Sequence, residues 1–124
     1  MKLLVVDDEK SICDLLEIVF KRDGYQVTTA SSGRAAMALI LKESFDLIIS
    51  DIKMPGMDGV ETLVEMKKKK PQLPVVMLTG HATVASGIQG LKQGAFAYVM
   101  KPVALDELLD KLQKAFERKP VQEG

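Results

Sequence analysis

The chain has 124 residues, 47% hydrophobic and 27% charged, and its 17 basic and 17 acidic side chains cancel to zero net charge. That describes one ordinary domain with material for a core, and no apolar run approaches the roughly 20 residues of a membrane span. The charge balance provides no global attraction for nucleic acid, and the single cysteine, Cys13, excludes an internal disulfide and suits a reducing, cytoplasmic compartment.

Apolar runs alternate with amphipathic segments along the chain. The first run, Leu3–Asp7, meets the paired acids Asp7 and Asp8 and reads as a strand, not a leader peptide. A helix follows over Lys10–Arg22, with Ile12, Leu15, Leu16, Val19 and Phe20 at helical spacing and Asp23-Gly24 as its stop. Tyr25–Thr29 alternates polar and apolar residues, as an edge strand does. Ser31-Ser32 introduce a helix over Gly33–Lys42 that carries Ala36, Met37, Leu39 and Ile40. Asp46–Asp51 is a third strand, stopping abruptly at a carboxylate. A loop with Pro55, Gly56 and Gly59 leads into a helix over Asp58–Lys70, which Pro71 closes. Val75–Thr79 is a fourth strand, and Thr83–Gln93 reads as a helix. Phe96–Met100 is a fifth strand, and Leu105–Arg118 a last helix that Pro120 is expected to stop. The folded unit is expected over residues 1–118, with 119–124 a tail or the start of a linker.

Strands alternating with helices imply a parallel sheet with right-handed crossovers and helices on both faces. Most of the runs are continuously apolar, which burial on both faces produces. With a polar strand second in sequence, the pattern fits an α/β, flavodoxin-like (βα)5 doubly wound sheet in the order 2-1-3-4-5.

In such a sheet ligands bind outside the carboxyl ends of the strands. Asp7 and Asp8 end the first strand, Asp51 the third and Thr79 the fourth, and Lys101 follows the fifth. Neighbouring strands lie about 4.8 Å apart, so Asp51 falls beside the acid pair and beside Thr79, with Lys101 roughly 10 Å away and long enough to cross. Carboxylates this close repel and call for a proton, a cation or Lys101. Hard oxygen ligands without a neighbouring histidine or cysteine favour Mg²⁺ or Mn²⁺, which keep waters that phosphate oxygens can replace. Phosphoryl transfer onto a carboxylate uses all of these parts. Asp51 is the candidate nucleophile, Lys101 a partner for one phosphoryl oxygen and Thr79 a donor to another.

The segments Val5-Val6-Asp7-Asp8-Glu9, Asp51-Ile52-Lys53-Met54-Pro55-Gly56-Met57-Asp58-Gly59, Leu78-Thr79-Gly80 and Lys101-Pro102 make the chain resemble a bacterial two-component response-regulator receiver domain over essentially its whole length. The resemblance implies that Asp51 accepts phosphate from a histidine kinase or histidine phosphotransfer protein. It implies that Asp8, Asp51 and the Lys53 backbone carbonyl bind Mg²⁺, with Asp7 helping through water, and that the Lys101–Pro102 bond is cis. It also implies that Thr79 and Tyr98 switch together on phosphorylation, and that Lys53 and His81, which flank the site, tune the lifetime of the phosphoryl group toward the long side. Gly87 and Gly90 weaken the fourth helix by up to about 1 kcal/mol each, so it is a plausible mobile element in that switch. The expected output surface is therefore the fourth helix, fifth strand and fifth helix, with a phosphorylation-dependent homodimer among its uses and no direct nucleic-acid or membrane contact.

Ile12, Leu15, Met54, Pro55, Met57, Pro102 and Val103 are expected to ring the acidic pocket and dock the phosphodonor. Blander roles are assigned elsewhere: Asp8 also as a cap for the first helix, Cys13 as small packing filler, Lys67–Lys70 as a solvated helix end with Glu65 paired to Lys69. Two other functions compete. A haloacid-dehalogenase-like phosphatase also uses an aspartyl nucleophile, but on its first strand, and the cap and later acid pair of that family are missing here. An unphosphorylated pseudo-receiver would not need the intact acids, threonine and lysine.

Overall fold

Burial on both faces shapes the centre of this chain. In the computed structural model, which describes residues 1–51, 59–79, 94–100 and 104–121, five strands form one parallel sheet in the order β2-β1-β3-β4-β5. They are β1 (Lys2–Val6), β2 (Gln26–Ala30), β3 (Leu47–Asp51), β4 (Val75–Thr79) and β5 (Ala97–Met100). The flavodoxin-like order expected from the pattern is the observed one, with the polar second strand at an edge. All five residues of β3 are buried, so no position on it meets water and its sequence shows no alternation.

Helices α1 (Lys10–Arg22), α2 (Gly33–Lys42) and α3 (Gly59–Lys69), and a C-terminal helix over Leu105–Val121, cover the two faces. Side chains alternate across each strand, so the sheet feeds two separate cores. Leu3, Val5, Leu47, Ile49, Val76 and Leu78 pack with Leu16, Val19 and Phe20 of α1 and with Leu108, Leu112 and Ala115 of the C-terminal helix. Leu4, Val6, Ile48, Val75 and Met77 turn the other way, onto Ala36 and Ile40 of α2 and Leu63 and Met66 of α3. Each such fully buried large aliphatic contributes about 1.5–3 kcal/mol of transfer free energy. An aromatic stack closes the first core: Phe20 meets Tyr25 edge-on, and Tyr25 stacks on Phe116 at 5.9 Å.

Several boundaries differ from the sequence reading. Asp7 lies one residue beyond β1, and Tyr25, Asp46 and Phe96 lie one residue before their strands. The C-terminal helix runs through Pro120 to Val121 instead of stopping at Arg118. Proline keeps a helical φ, and near a helix end it forfeits only one backbone bond. Leu15 is 46% exposed and stands off the buried stripe of α1, which is Cys13, Leu16, Val19 and Phe20. It sits roughly a third of a turn from the centre of that stripe. The expected helix over Thr83–Gln93 lies outside the described residues.

The lysine run is not uniformly solvated. Lys67 Nζ donates to the carbonyls of Pro71 (2.9 Å) and Leu73 (3.0 Å), tying the end of α3 to the turn that enters β4. Burial lowers its ammonium pKa below the ordinary lysine value. Its stem lies under Gly94, whose φ of +110° favours glycine and where an added Cβ would stand 3.4 Å from Lys67 Cε. Glu65 pairs with Lys68 at i+3 and 3.4 Å, not with Lys69. Lys67→Met, which keeps the stem and removes the donor, is expected to lower stability by about 1–2 kcal/mol in urea unfolding. Lys69→Met should stay within about 0.5 kcal/mol. Equal losses in the two variants would show that the Lys67 bonds contribute nothing of their own.

Candidate functional site

Strand register assembles the site. Val6 of β1 pairs with Ser50 of β3, so the residues that follow, Asp7 just beyond β1 and Asp51 at the end of β3, lie side by side. On the other flank Asp51 pairs with Leu78, which places Thr79 at the end of β4 one step beyond, opposite Met100 of β5. Carboxylate oxygens of Asp7, Asp8 and Asp51 all lie within 4.8 Å of one another. Asp7 is 1% exposed and Asp51 3%, whereas Asp8 faces solvent.

The loop carrying the acid pair is short and closely held. Asp7 N–H donates to the Ala30 carbonyl of β2 at 3.1 Å, and Asp7 Oδ1 accepts from Glu9 N–H at 2.9 Å. The Asp7 carbonyl accepts from Cys13 Sγ at 3.3 Å. Helix α1 begins at once, with Glu9 at its N-cap position and no side-chain capping bond. Asp8 was expected from sequence to cap α1 as well, but it does not: Glu9 takes the N-cap position, and the Asp8 carboxylate belongs to the cluster. Ser50, also buried, sets its hydroxyl 3.4 Å from the Asp51 carbonyl.

At 4.8 Å, two of these charges repel by about 3.5 kcal/mol at an effective dielectric near 20. The donor set is all oxygen, with one member open to water. Such a set fits a hard divalent cation that retains waters, Mg²⁺ or Mn²⁺, better than a thiophilic metal. Cys13 is not a competing ligand, because its thiol is engaged with the Asp7 carbonyl. Burial, and after it the Asp7 charge, raise the thiol pKa above the ordinary value, so it keeps its proton at neutral pH.

Asp7, Asp8 and Asp51 are thus brought together, and Thr79 stands on the adjacent strand end. Tyr98 is half-buried on β5, opposite Met77, and packs on the core shared by α2 and α3. Ile12 is half-buried and Leu15 exposed on α1. Lys53, Met54, Pro55, Met57, His81, Lys101, Pro102 and Val103 lie outside the described residues, and the Lys101–Pro102 bond with them. The sequence reading missed the Cys13–Asp7 contact. Its only signal was that cysteine is a small buried residue that still carries a donor.

The response regulator receiver domain family matches residues 3–113. The Escherichia coli K12 transcriptional regulatory protein ZraR is 40% identical over 113 residues, covering 91% of this chain and 26% of that protein. The regulatory protein AtoC of the same organism is 37% identical over 116 residues, 94% of this chain and 25% of that one. Among solved structures, a response regulator receiver domain protein from Clostridium thermocellum superposes with a TM-score of 0.92 at 36% identity, covering 98% of both chains. The beryllofluoride-activated NtrC4 receiver domain dimer superposes at 0.90 with 34% identity, covering 95% of this chain and 98% of that one. The chain belongs to the response-regulator receiver family, whose members are two-component signalling domains. It spans about a quarter of the length of the curated relatives it matches. Neither the phosphatase nor the pseudo-receiver reading is favoured beside this match.

Proposed function

We propose that Asp51 accepts a phosphoryl group from phosphohistidine on a histidine kinase or histidine phosphotransfer protein. The observation that supports this best is the Asp51 carboxylate, 3% exposed at the end of β3 and clustered with Asp7 and Asp8 within 4.8 Å. Asp8, Asp51 and the Lys53 carbonyl would hold Mg²⁺ or Mn²⁺, with Asp7 acting through water; when bound, the cation neutralises charge on donor and acceptor. An Asp51 oxygen forms a bond to phosphorus as the bond from phosphorus to the donor imidazole nitrogen breaks, and that nitrogen takes up a proton. Thr79 donates to one phosphoryl oxygen and Lys101 pairs with another, so the domain assists its own phosphorylation and dephosphorylation. Lys53 and His81 control water access and hence the lifetime of the product. Incubation with acetyl phosphate and Mg²⁺, read by intact mass, tests the proposal.

The donor docks on Ile12 and Leu15 of α1 with Met54, Pro55, Met57, Pro102 and Val103. Ile12→Asp is expected to slow transfer from the kinase at least about tenfold while sparing acetyl-phosphate labelling, since a buried unpaired charge at an interface costs several kcal/mol. Equal loss in both assays would point to damage within the site or fold. Readout passes through Thr79 and Tyr98 to the surface formed by residues 83–118. Amide exchange there should change on adding beryllofluoride, and unchanged exchange across that span would refute the switch. The beryllofluoride-activated dimer of the NtrC4 receiver supports phosphorylation-dependent homodimerisation as one output. No described helix is long and apolar enough to cross a membrane, which fits a cytoplasmic signalling role.

A further inference from the structure

Cys13 lies outside the acidic cluster, yet its side chain reaches back to the loop carrying two of the three acids. Its Sγ stands 3.3 Å from the Asp7 carbonyl, and it is 7% exposed in the first turn of α1. The carbonyl it meets belongs to the peptide that joins Asp7 to Asp8, so its direction sets the plane of that peptide. The plane in turn decides where the Asp8 Cα places its carboxylate. Asp8 needs such a constraint, because its side chain is exposed and makes no capping bond to α1. Asp7 is fixed separately, by its N–H on Ala30 and by the Glu9 N–H on its Oδ1. Those two bonds hold the Asp7 amide and side chain, and the Cys13 thiol adds a bond to the carbonyl of the Asp7–Asp8 peptide.

We propose that Cys13 is a positioning residue: its thiol, donating to the Asp7 carbonyl, holds the Asp7–Asp8 peptide so that the Asp8 carboxylate stays turned toward Asp51. The proposal rests on the reading of the acids as a divalent-cation site. Groups behind the ligands of a metal commonly change its affinity ten- to a hundredfold, and a thiol is a weak donor, so the effect belongs at the low end of that range. A serine at this position restores a donor to the same carbonyl, whereas alanine or valine removes it.

The test is calorimetric titration of the phosphate-free protein with MgCl₂, alongside thermal unfolding in metal-free buffer. Cys13→Ala is expected to weaken Mg²⁺ binding about three- to tenfold, and Cys13→Ser to remain within about twofold of the wild type. Cys13→Val repeats the loss of the donor with the bulk retained, in case Cys13→Ala leaves a cavity that impairs folding. Unchanged affinity in both donor-free variants, or equal weakening in Cys13→Ser and Cys13→Ala, overturns the proposal, because packing alone then accounts for Cys13. Asp8→Asn separates the two readings. If that variant binds Mg²⁺ as the wild type does, the cation site itself is wrong and the role of Cys13 falls with it.

Discussion

Asp51→Asn should gain no phosphoryl group from acetyl phosphate and Mg²⁺, while the wild type gains one per chain by intact mass. The amide keeps the shape of the carboxylate but is a poor nucleophile for phosphorus, and the other acids cannot replace it. Asp8 faces solvent, and Asp7 has one oxygen on the Glu9 amide. The same substitution should raise the melting temperature in metal-free buffer. Three carboxylates within 4.8 Å, two of them buried, repel by about 3.5 kcal/mol per pair at a dielectric near 20, and the variant removes two of the three pairs. Even with most of that screened, a gain of about 1–2 kcal/mol is expected, or several degrees for a chain of 124 residues. Retained labelling in Asp51→Asn would sink the assignment of the acceptor. A lower metal-free melting point would show that a cation of the chain itself already offsets the Asp51 charge.

Mg²⁺ should stabilise the wild type through the same cluster. At ten times its dissociation constant a ligand that binds only the folded state adds about 1.4 kcal/mol. For a chain of 124 residues that is about 4–6 °C. Asp8→Asn should reduce this shift below about 1 °C, since it removes the one solvent-facing carboxylate of the three without disturbing a capping bond of α1. Asp8 is a better probe than Asp7, whose side chain also holds the Glu9 amide, so that its replacement would confound metal loss with loop damage. Scanning calorimetry in MgCl₂, against NaCl of matched ionic strength, measures the difference. An unchanged Mg²⁺ shift in Asp8→Asn would place the cation elsewhere.

Much of this arrangement was legible without coordinates, and particular residues show why. The run Leu47–Asp51 is short, apolar and ends in a carboxylate, and only a strand buried on both faces with its end at a sheet edge accommodates that pattern. Gln26–Ala30 carries two threonines and a glutamine, and it was placed at the edge because it has water to face. Boundaries were less legible. Asp7 and Tyr25 have the composition of their neighbouring strands and lie one residue outside them, where composition carries no information about which backbone bond is the last. Leu15 was misplaced for a related reason: helical spacing defines a stripe, but the width of the stripe depends on how closely the sheet approaches.

Sequence by itself determined the alternation of elements, the strand order, and the identity of Asp7, Asp8 and Asp51 as one cluster. These follow from local hydrophobicity and from the rule that parallel strands all end on one side. Only the tertiary structure decided which side chains bridge segments that spacing does not connect. It set Lys67 on the carbonyls of Pro71 and Leu73 instead of in solvent, moved the partner of Glu65 from Lys69 to Lys68, and left α1 without Asp8 as its cap. It also set Cys13 against the Asp7 carbonyl, a contact that depends on the angle at which α1 leaves β1. That angle is fixed by packing α1 onto Leu3, Val5 and Phe20's neighbours in the first core, so no pattern within the Asp7–Cys13 segment encodes it.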